Sequence, residues 1–173
     1  ALPIYNILFT ILAPRQAKAF RKLNDDQWQT INENQLDTAI PYAYKLPSGR
    51  TIALFFYNEQ ISREVAFNGL LNSGKLFADR LIVATRDTEQ PQLIHIATDG
   101  ESYGHHHYRG DMALASCIDY LKKNKSVTLT NYGEFLAKFP PQYEIQIHEN
   151  SSWSCVHGVE RWRSNCGCSD GGN

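Results

Sequence analysis

The chain has 173 residues, 42% of them hydrophobic and 20% charged, with 17 Lys and Arg against 18 Asp and Glu. That length allows one domain with a sizeable core, and a net charge of -1 leaves no polybasic footprint for nucleic acid. No run approaches the ~20 apolar residues of a membrane span, and no basic start or small-residue cleavage site marks a signal peptide, so no membrane partner and a cytoplasmic location are expected.

Residues 7–12 read as a strand. Ala13-Pro14 then opens a helix carrying Ala17, Phe20 and Leu23 on one face, since Pro14 suits a first turn whose N–H is unpaired anyway. Residues 24–38 are polar. Residues 41–46 and 51–57 form a β-hairpin around Pro47-Ser48-Gly49, expected as an insertion or edge feature. Ser62 caps the next helix, with Val65, Phe67, Leu70, Leu71, Phe77, Leu81 and Ile82 as its apolar positions; Asn72-Ser73-Gly74 divides it into two.

Residues 93–97 read as a buried strand, followed by a helix over 109–123 with Leu114, Ile118 and Leu121 inward. A short strand is expected at 127–129. Asn131 and Glu134 have capping-box spacing for a helix reaching Phe139, which Pro140-Pro141 ends. Tyr143, Ile145 and Ile147 alternate with polar residues as a half-buried strand does. Strands alternating with helices point to a mostly parallel α/β sheet or part of a barrel, with no internal repeat or linker, so residues 1–173 are read as a single domain. The missing initiator methionine and the polar end Ser169-Asp170-Gly171-Gly172-Asn173, read as flexible, suggest a fragment of a longer protein.

Chemistry concentrates at two places. The first is Asp99-Gly100-Glu101-Ser102-Tyr103-Gly104-His105-His106-His107, directly after the 93–97 run. Glycosidic cleavage needs one carboxyl group to protonate the leaving oxygen and another to attack or to activate water, and Asp99 with Glu101 supplies two carboxyls. The plain alternative is a solvated Asp-Gly turn. The three histidines cannot all face one way, and they suit a substrate rim or a helix entry better than a metal site of defined spacing. His95, alone on the apolar run, reads as a hydrogen-bonded core histidine.

The second place is residues 149–168. Cys155-x-His157 and Cys166-x-Cys168 offer either a four-ligand tetrahedral zinc site or free thiols in a tight loop. Trp153 and Trp162, with Arg161 and Arg163, read as a sugar-binding wall of aromatic faces and guanidinium groups, or as core packing.

The stretch Ile96-Ala97-Thr98-Asp99-Gly100-Glu101-Ser102-Tyr103-Gly104-His105 resembles the fourth signature of glycoside hydrolase family 57, Asp-x-Glu-x-Phe-Gly-His after an apolar strand, with Tyr103 in place of Phe. Residues 129–136 and the tract 150–168 resemble a bacterial subgroup of that superfamily carrying domain of unknown function 3536. The resemblance implies part of a (β/α)7-type barrel, its later strands and helices, with a β-hairpin insertion. It implies Asp99 as general acid/base of a retaining glycoside hydrolase or transglycosylase on α-glucans, with no required cofactor. Glu101, Tyr103, His105 and His106, together with Trp153, Arg161 and Trp162, would then bind substrate. The family's early His-Gln-Pro signature and its nucleophilic glutamate have no convincing counterpart before Thr98; Glu59 and Glu64 are acids there with the wrong surroundings. The isolated chain is therefore expected to be inactive.

Two other function classes compete. One is a carbohydrate-binding module stabilised by zinc on Cys155, His157, Cys166 and Cys168. The other is a metal-dependent polysaccharide deacetylase using Asp99 with His105 or His107 as ligands.

Overall fold

The computed structural model describes residues 7–31 and 35–168; the expected flexible end at 169–173 lies outside the described residues. The chain divides into two compact units, one of the described residues up to Asp37, 41–56 and 141–168, the other of 38–40 and 57–140. Among the described residues no helix is long and apolar enough to cross a membrane.

The first unit holds six strands: β1 (Phe9–Leu12), β2 (Ala17–Lys22), β3 (Gln29–Thr30), β4 (Tyr42–Lys45), β5 (Thr51–Phe56) and β6 (Tyr143–Ile147). They form one sheet in the order β1-β5-β4-β6-β2-β3. The pairs β1/β5 and β4/β6 are parallel and the other three antiparallel, so the sheet is mixed, not mostly parallel. The hairpin β4–β5 is present, and its strands lie inside the sheet, not at its edge. Residues 53–56 are buried without alternation, the pattern of a strand covered on both faces.

The helix expected from Ala13 is replaced by one 3₁₀ turn, Pro14–Gln16, and then β2. Ala17 and Ala19 are buried and Lys18 is exposed, a period of two that the apolar 17/20/23 spacing concealed. What selects the strand is pairing with β6, in which Arg21 lies opposite Glu144 and bonds it through Nη2 at 2.6 Å and Nε at 2.8 Å. Rings from four strands meet on this sheet. Tyr42 sits edge-on to Phe56 at 5.7 Å and to Phe20 at 6.3 Å, and Phe20 to Tyr143 at 6.0 Å. Tyr42 is 1% exposed and donates its hydroxyl to the Asp37 carbonyl at 3.0 Å.

The second unit contains α1 (Glu59–Phe67), α2 (Gly74–Val83), α3 (Gly110–Lys123) and α4 (Tyr132–Lys138). The break at Asn72-Ser73-Gly74 is confirmed, and Ser73 caps α2 by accepting from the Leu76 N–H. Asn58, not Ser62, caps α1, its Oδ1 accepting from the Ile61 N–H at 2.9 Å. Ser62 lies one turn inside and is buried. Its hydroxyl donates to the Asn58 carbonyl and accepts from the Ala97 N–H. Asn131 caps α4 as expected, accepting from the Glu134 N–H at 2.9 Å.

The core of this unit is Ile61, Val65, Leu71, Phe77, Ala78, Ala113, Cys117 and Leu121. Ala113, Cys117 and Leu121 form the buried stripe of α3, while Leu114 and Ile118 are only half-buried. The small residues let α2 approach: a Cβ on Gly74 would stand 2.5 Å from the Ala113 carbonyl oxygen. Burial pushes the Cys117 thiol up to about 11, so it behaves as an apolar packing group. Phe67, expected in the core, is 80% exposed because it lies off the Ile61/Val65 face of α1.

Residues 93–97, expected as a buried strand, join no ladder and form no regular element, and 127–129 form no strand. Isolated hydrogen bonds hold the run instead, from the Leu93 N–H to the Ala39 carbonyl at 2.8 Å and from the Asn58 N–H to the His95 carbonyl at 2.9 Å. His95 is buried, its ring between the Thr38 carbonyl (3.2 Å from Nε2) and the Tyr132 hydroxyl (2.9 Å from Nδ1). A carbonyl only accepts, so Nε2 carries the proton and Nδ1 accepts from Tyr132; this is the core histidine expected.

Glu64 accepts from Nε and Nη2 of Arg80, at 2.6 and 3.1 Å, on side chains about a fifth to a quarter exposed. The Arg80 hydrogen bond holds the Glu64 carboxyl below its ordinary range against the effect of burial. A depressed native pKa contributes stability that is complete above the unfolded value and lost as pH falls through the folded one. Glu64→Gln should therefore cost about 0.5–1 kcal/mol at pH 7 and nothing once wild-type Glu64 is protonated, as read from urea midpoints against pH. Phe77→Ala empties the centre of the helical core and should cost about 3–5 kcal/mol in the same measurement.

Candidate functional site

Residues 93–98 lead into Asp99, where backbone φ -66° and ψ 142° place it as the first flank of the 3₁₀ turn Gly100–Tyr103. The Ser102 N–H closes that turn on the Asp99 carbonyl at 3.1 Å. The side chain of Asp99 makes no capping bond and is exposed, so its carboxyl is available to solvent and to a ligand. Inside the turn, Ser102 is buried and the Tyr103 hydroxyl meets Thr98 Oγ1 at 2.9 Å.

The Glu101 carbonyl accepts from the N–H groups of His105 and His106, at 3.0 and 2.9 Å, while its carboxyl is on the exposed side of the turn. The three histidines separate by role. His105 and His106 are exposed with rings 4.9 Å apart, and His107 donates from Nε2 to the Ala66 carbonyl at 2.8 Å, anchoring the loop to the end of α1. Gly110 allows α3 to start against this loop, since a Cβ there would stand 2.9 Å from the Ser102 carbonyl oxygen. Among the described residues, Asp99, His105 and His107 do not converge as metal ligands, the arrangement a metal-dependent deacetylase needs.

A cavity of about 650 Å³ in the helical unit, lined among others by Leu81, Leu93, Leu121, Glu134 and Phe139, contains none of the candidate site residues named above. Glu134 there is engaged by Lys138 and Thr130. Of the two upstream acids named above, Glu59 is exposed in the first turn of α1, and Glu64 is held by Arg80.

The sheet unit carries the second cluster. Cys155 Sγ lies 3.7 Å from His157 Nδ1, 3.8 Å from Cys166 Sγ and 3.4 Å from Cys168 Sγ, with His157 Nδ1 to Cys168 Sγ at 3.2 Å. All four donor atoms lie within 4.8 Å of one another, a set able to hold a metal such as zinc. Burial alone would raise the Cys155 thiol, but hydrogen bonds from the His157 backbone and the neighbouring groups outweigh it and bring the value down to about 7; the bond to Cys155 sends Cys168 up to about 11.

Trp153 and Trp162 are 59% and 65% exposed, and Arg161 and Arg163 are exposed beside them, so neither tryptophan is a core residue. Trp162, Arg161 and Arg163 lie on the single turn α5 (Glu160–Arg163). Sequence reasoning missed the residues that hold this loop. Arg15 donates through Nη2 to the carbonyls of Ser152, at 2.8 Å, and Trp153, and Gln16 donates to Ser151 Oγ at 3.2 Å. These partners are more than 130 residues apart in the chain, and no local pattern announces them.

No curated protein matches the sequence. Among solved structures, that of a 4-alpha-glucanotransferase from Thermococcus litoralis is similar over 68% of this chain, with TM-score 0.51 and 21% identity. The match covers 19% of that protein, so this chain spans about a fifth of its length, and the mixed α/β architecture corresponds to part of a (β/α)7-barrel fold. The family model for glycosyl hydrolase family 57 matches residues 17–148, which include β2 to β6, the helices between them and the Asp99 loop. The chain belongs to glycosyl hydrolase family 57.

Proposed function

We propose that this chain is part of a retaining glycoside hydrolase or transglycosylase acting on α-glucans, with Asp99 as its general acid/base. The observation that carries the reading is the placement of Asp99: the run before it is held by hydrogen bonds at Leu93, His95 and Ala97, and its carboxyl is exposed and makes no capping bond in the turn it begins. Such a carboxyl can protonate a departing glycosidic oxygen and then deprotonate the incoming water or sugar hydroxyl. The family and the glucanotransferase neighbour support the substrate class.

Glu101, Tyr103, His105 and His106 then surround the substrate beside Asp99. The nucleophilic carboxylate comes from outside this chain, because Glu59 and Glu64 lack the sequence surroundings of the family's nucleophile, and the isolated chain is inactive. The chemistry rests on carboxyl groups and calls for no cofactor. The tract 150–168, with Trp-Ser-Cys-x-His-Gly-Val-Glu-Arg-Trp-Arg, supports placement in the subgroup carrying domain of unknown function 3536. Exposure of Trp153 and Trp162 favours a second reading, carbohydrate binding without cleavage through these rings and Arg161.

In the complete protein, Asp99→Asn should lower turnover of an α-glucan by about 10²–10⁴-fold. The loss should be much smaller for an aryl α-glucoside whose leaving group departs without protonation. An equal loss on both substrates, or none, would remove Asp99 from the acid/base role. Oligosaccharide binding by Trp162→Ala, followed calorimetrically, separates the second reading: affinity lost in a protein that never cleaves would favour the binding module.

A further inference from the structure

The Cys155, His157, Cys166 and Cys168 cluster has no part in acid/base chemistry, and apolar packing gives no reason to bring three sulfurs and an imidazole to one point. The closest sulfur pair measured, Cys155 to Cys168, is 3.4 Å apart, whereas a disulfide requires ~2.05 Å; all four cysteines of the chain are free. Tetrahedral zinc, with Zn–S ~2.3 Å and Zn–N ~2.0–2.1 Å, sets its ligands apart by ~3.8 Å for two sulfurs and ~3.5 Å for sulfur and nitrogen. The observed edges are 3.8 and 3.4 Å between sulfurs and 3.7 and 3.2 Å between sulfur and nitrogen. These four of the six edges lie within about 0.4 Å of the zinc values, and all four ligand atoms lie within 4.8 Å of one another.

The backbone explains how ligands separated by a single residue reach one centre. Gly158, at φ +62°, turns the chain immediately after His157, and its N–H closes on the Cys155 carbonyl at 3.0 Å. Gly167, at φ +77°, makes the corresponding turn between Cys166 and Cys168. Both angles lie where a side chain is strained. At Gly158 a Cβ would also stand 2.0 Å from the Asn150 carbonyl oxygen. The enclosed segment has little else to hold it: α5 is four residues long and buries none of them, too short to persist as an isolated helix.

We propose that Cys155, His157, Cys166 and Cys168 form a closed Cys₃His site for one zinc ion, which folds residues 155–168 and thereby orients Trp162. Three thiolates and an imidazole select a borderline-soft ion over magnesium or calcium. Four protein ligands leave no open position, so the metal is structural and takes no substrate. Binding releases the thiol protons to solvent, and the metal-binding free energy becomes folding free energy for the loop. The proposal stands independently of the glycosidase reading.

The test uses the complete protein without an affinity tag, produced in zinc-replete medium and dialysed against a weak chelator. Elemental analysis should find about one zinc per chain, and cobalt substitution should give tetrahedral d–d bands with thiolate-to-cobalt charge transfer. Removing the metal should speed amide exchange across residues 155–168 at least tenfold while β1 to β6 keep their protection. The Cys166→Ser/Cys168→Ser double variant should lose zinc with its helix and sheet signals unchanged. Metal-free wild-type protein, a cobalt spectrum without thiolate charge transfer, disulfides found by alkylation without reduction, or exchange unaffected by metal removal would each overturn the proposal. The wild-type measurements decide the matter even if the variant fails to fold.

Discussion

The sheet depends on one late strand. β6 lies between β4 and β2, so it joins the β1-β5-β4 half to the β2-β3 half, and every residue of β6 comes after the excursion from Tyr57 to Pro140. Its parallel pairing with β4 involves only Tyr42↔Tyr143 and Ala43↔Glu144, whereas its antiparallel register with β2 extends from Ala17 to Lys22. The aromatic edge contacts among Phe20, Tyr42, Phe56 and Tyr143 reinforce the same junction, together with the Arg21–Glu144 pair. Closing a long loop to place such a strand costs conformational entropy that only the completed sheet returns.

That junction also determines where the C-terminal tract begins. The His148 N–H donates to the Gln16 carbonyl at 2.8 Å, and Arg15 and Gln16 then hold residues 151–153, so the loop leaving β6 is fastened beside the turn that precedes β2. Beyond Trp153 the polypeptide has few buried groups, chiefly Cys155 and Gly158, and the soft side chains gather where hydrophobic contacts run out. Small segments lacking a core rely on covalent or metal staples for the same reason.

The Asp99 loop shows a different use of hydrogen bonding. Backbone groups of residues 93–97 are tied to Ala39, Asn58 and Ser62, and His107 is tied to Ala66, so the loop is fixed at both ends while the carboxyl of Asp99 takes no part in fixing it. Glu64 illustrates the opposite arrangement. Its carboxyl is bound by Arg80 and Gln60, and the hydrogen bonds that lower its pKa are the ones that occupy its oxygens. An acid spent on structure in this way has little left for catalysis.

Much of this was legible in the sequence, and the failures share a cause. The β4–β5 hairpin, β6, the break before Gly74 and the Asn131 cap were all readable, because each follows from turn chemistry, capping or a two-residue period within a few neighbours. The Asp99 signature and the Cys/His ligand set were readable as residue types at short spacing. The segment after Ala13 was misread as a helix because its strand character comes from β6, more than 120 residues away. Residues 93–97 have the apolar run of a strand but join no ladder, because the groups they bond, on Ala39, Asn58 and Ser62, lie outside any local window.

By itself, the sequence marked the candidate residues: a loop carboxyl, a histidine run, and three cysteines with one histidine around two glycines. Only the tertiary structure decided which carboxyl is free and which is bound, which histidine anchors the loop, and that three sulfurs and one imidazole nitrogen come within 4.8 Å of one another. Those outcomes depend on hydrogen bonds and distances between residues far apart in the chain, and such contacts exist only once the backbone has folded.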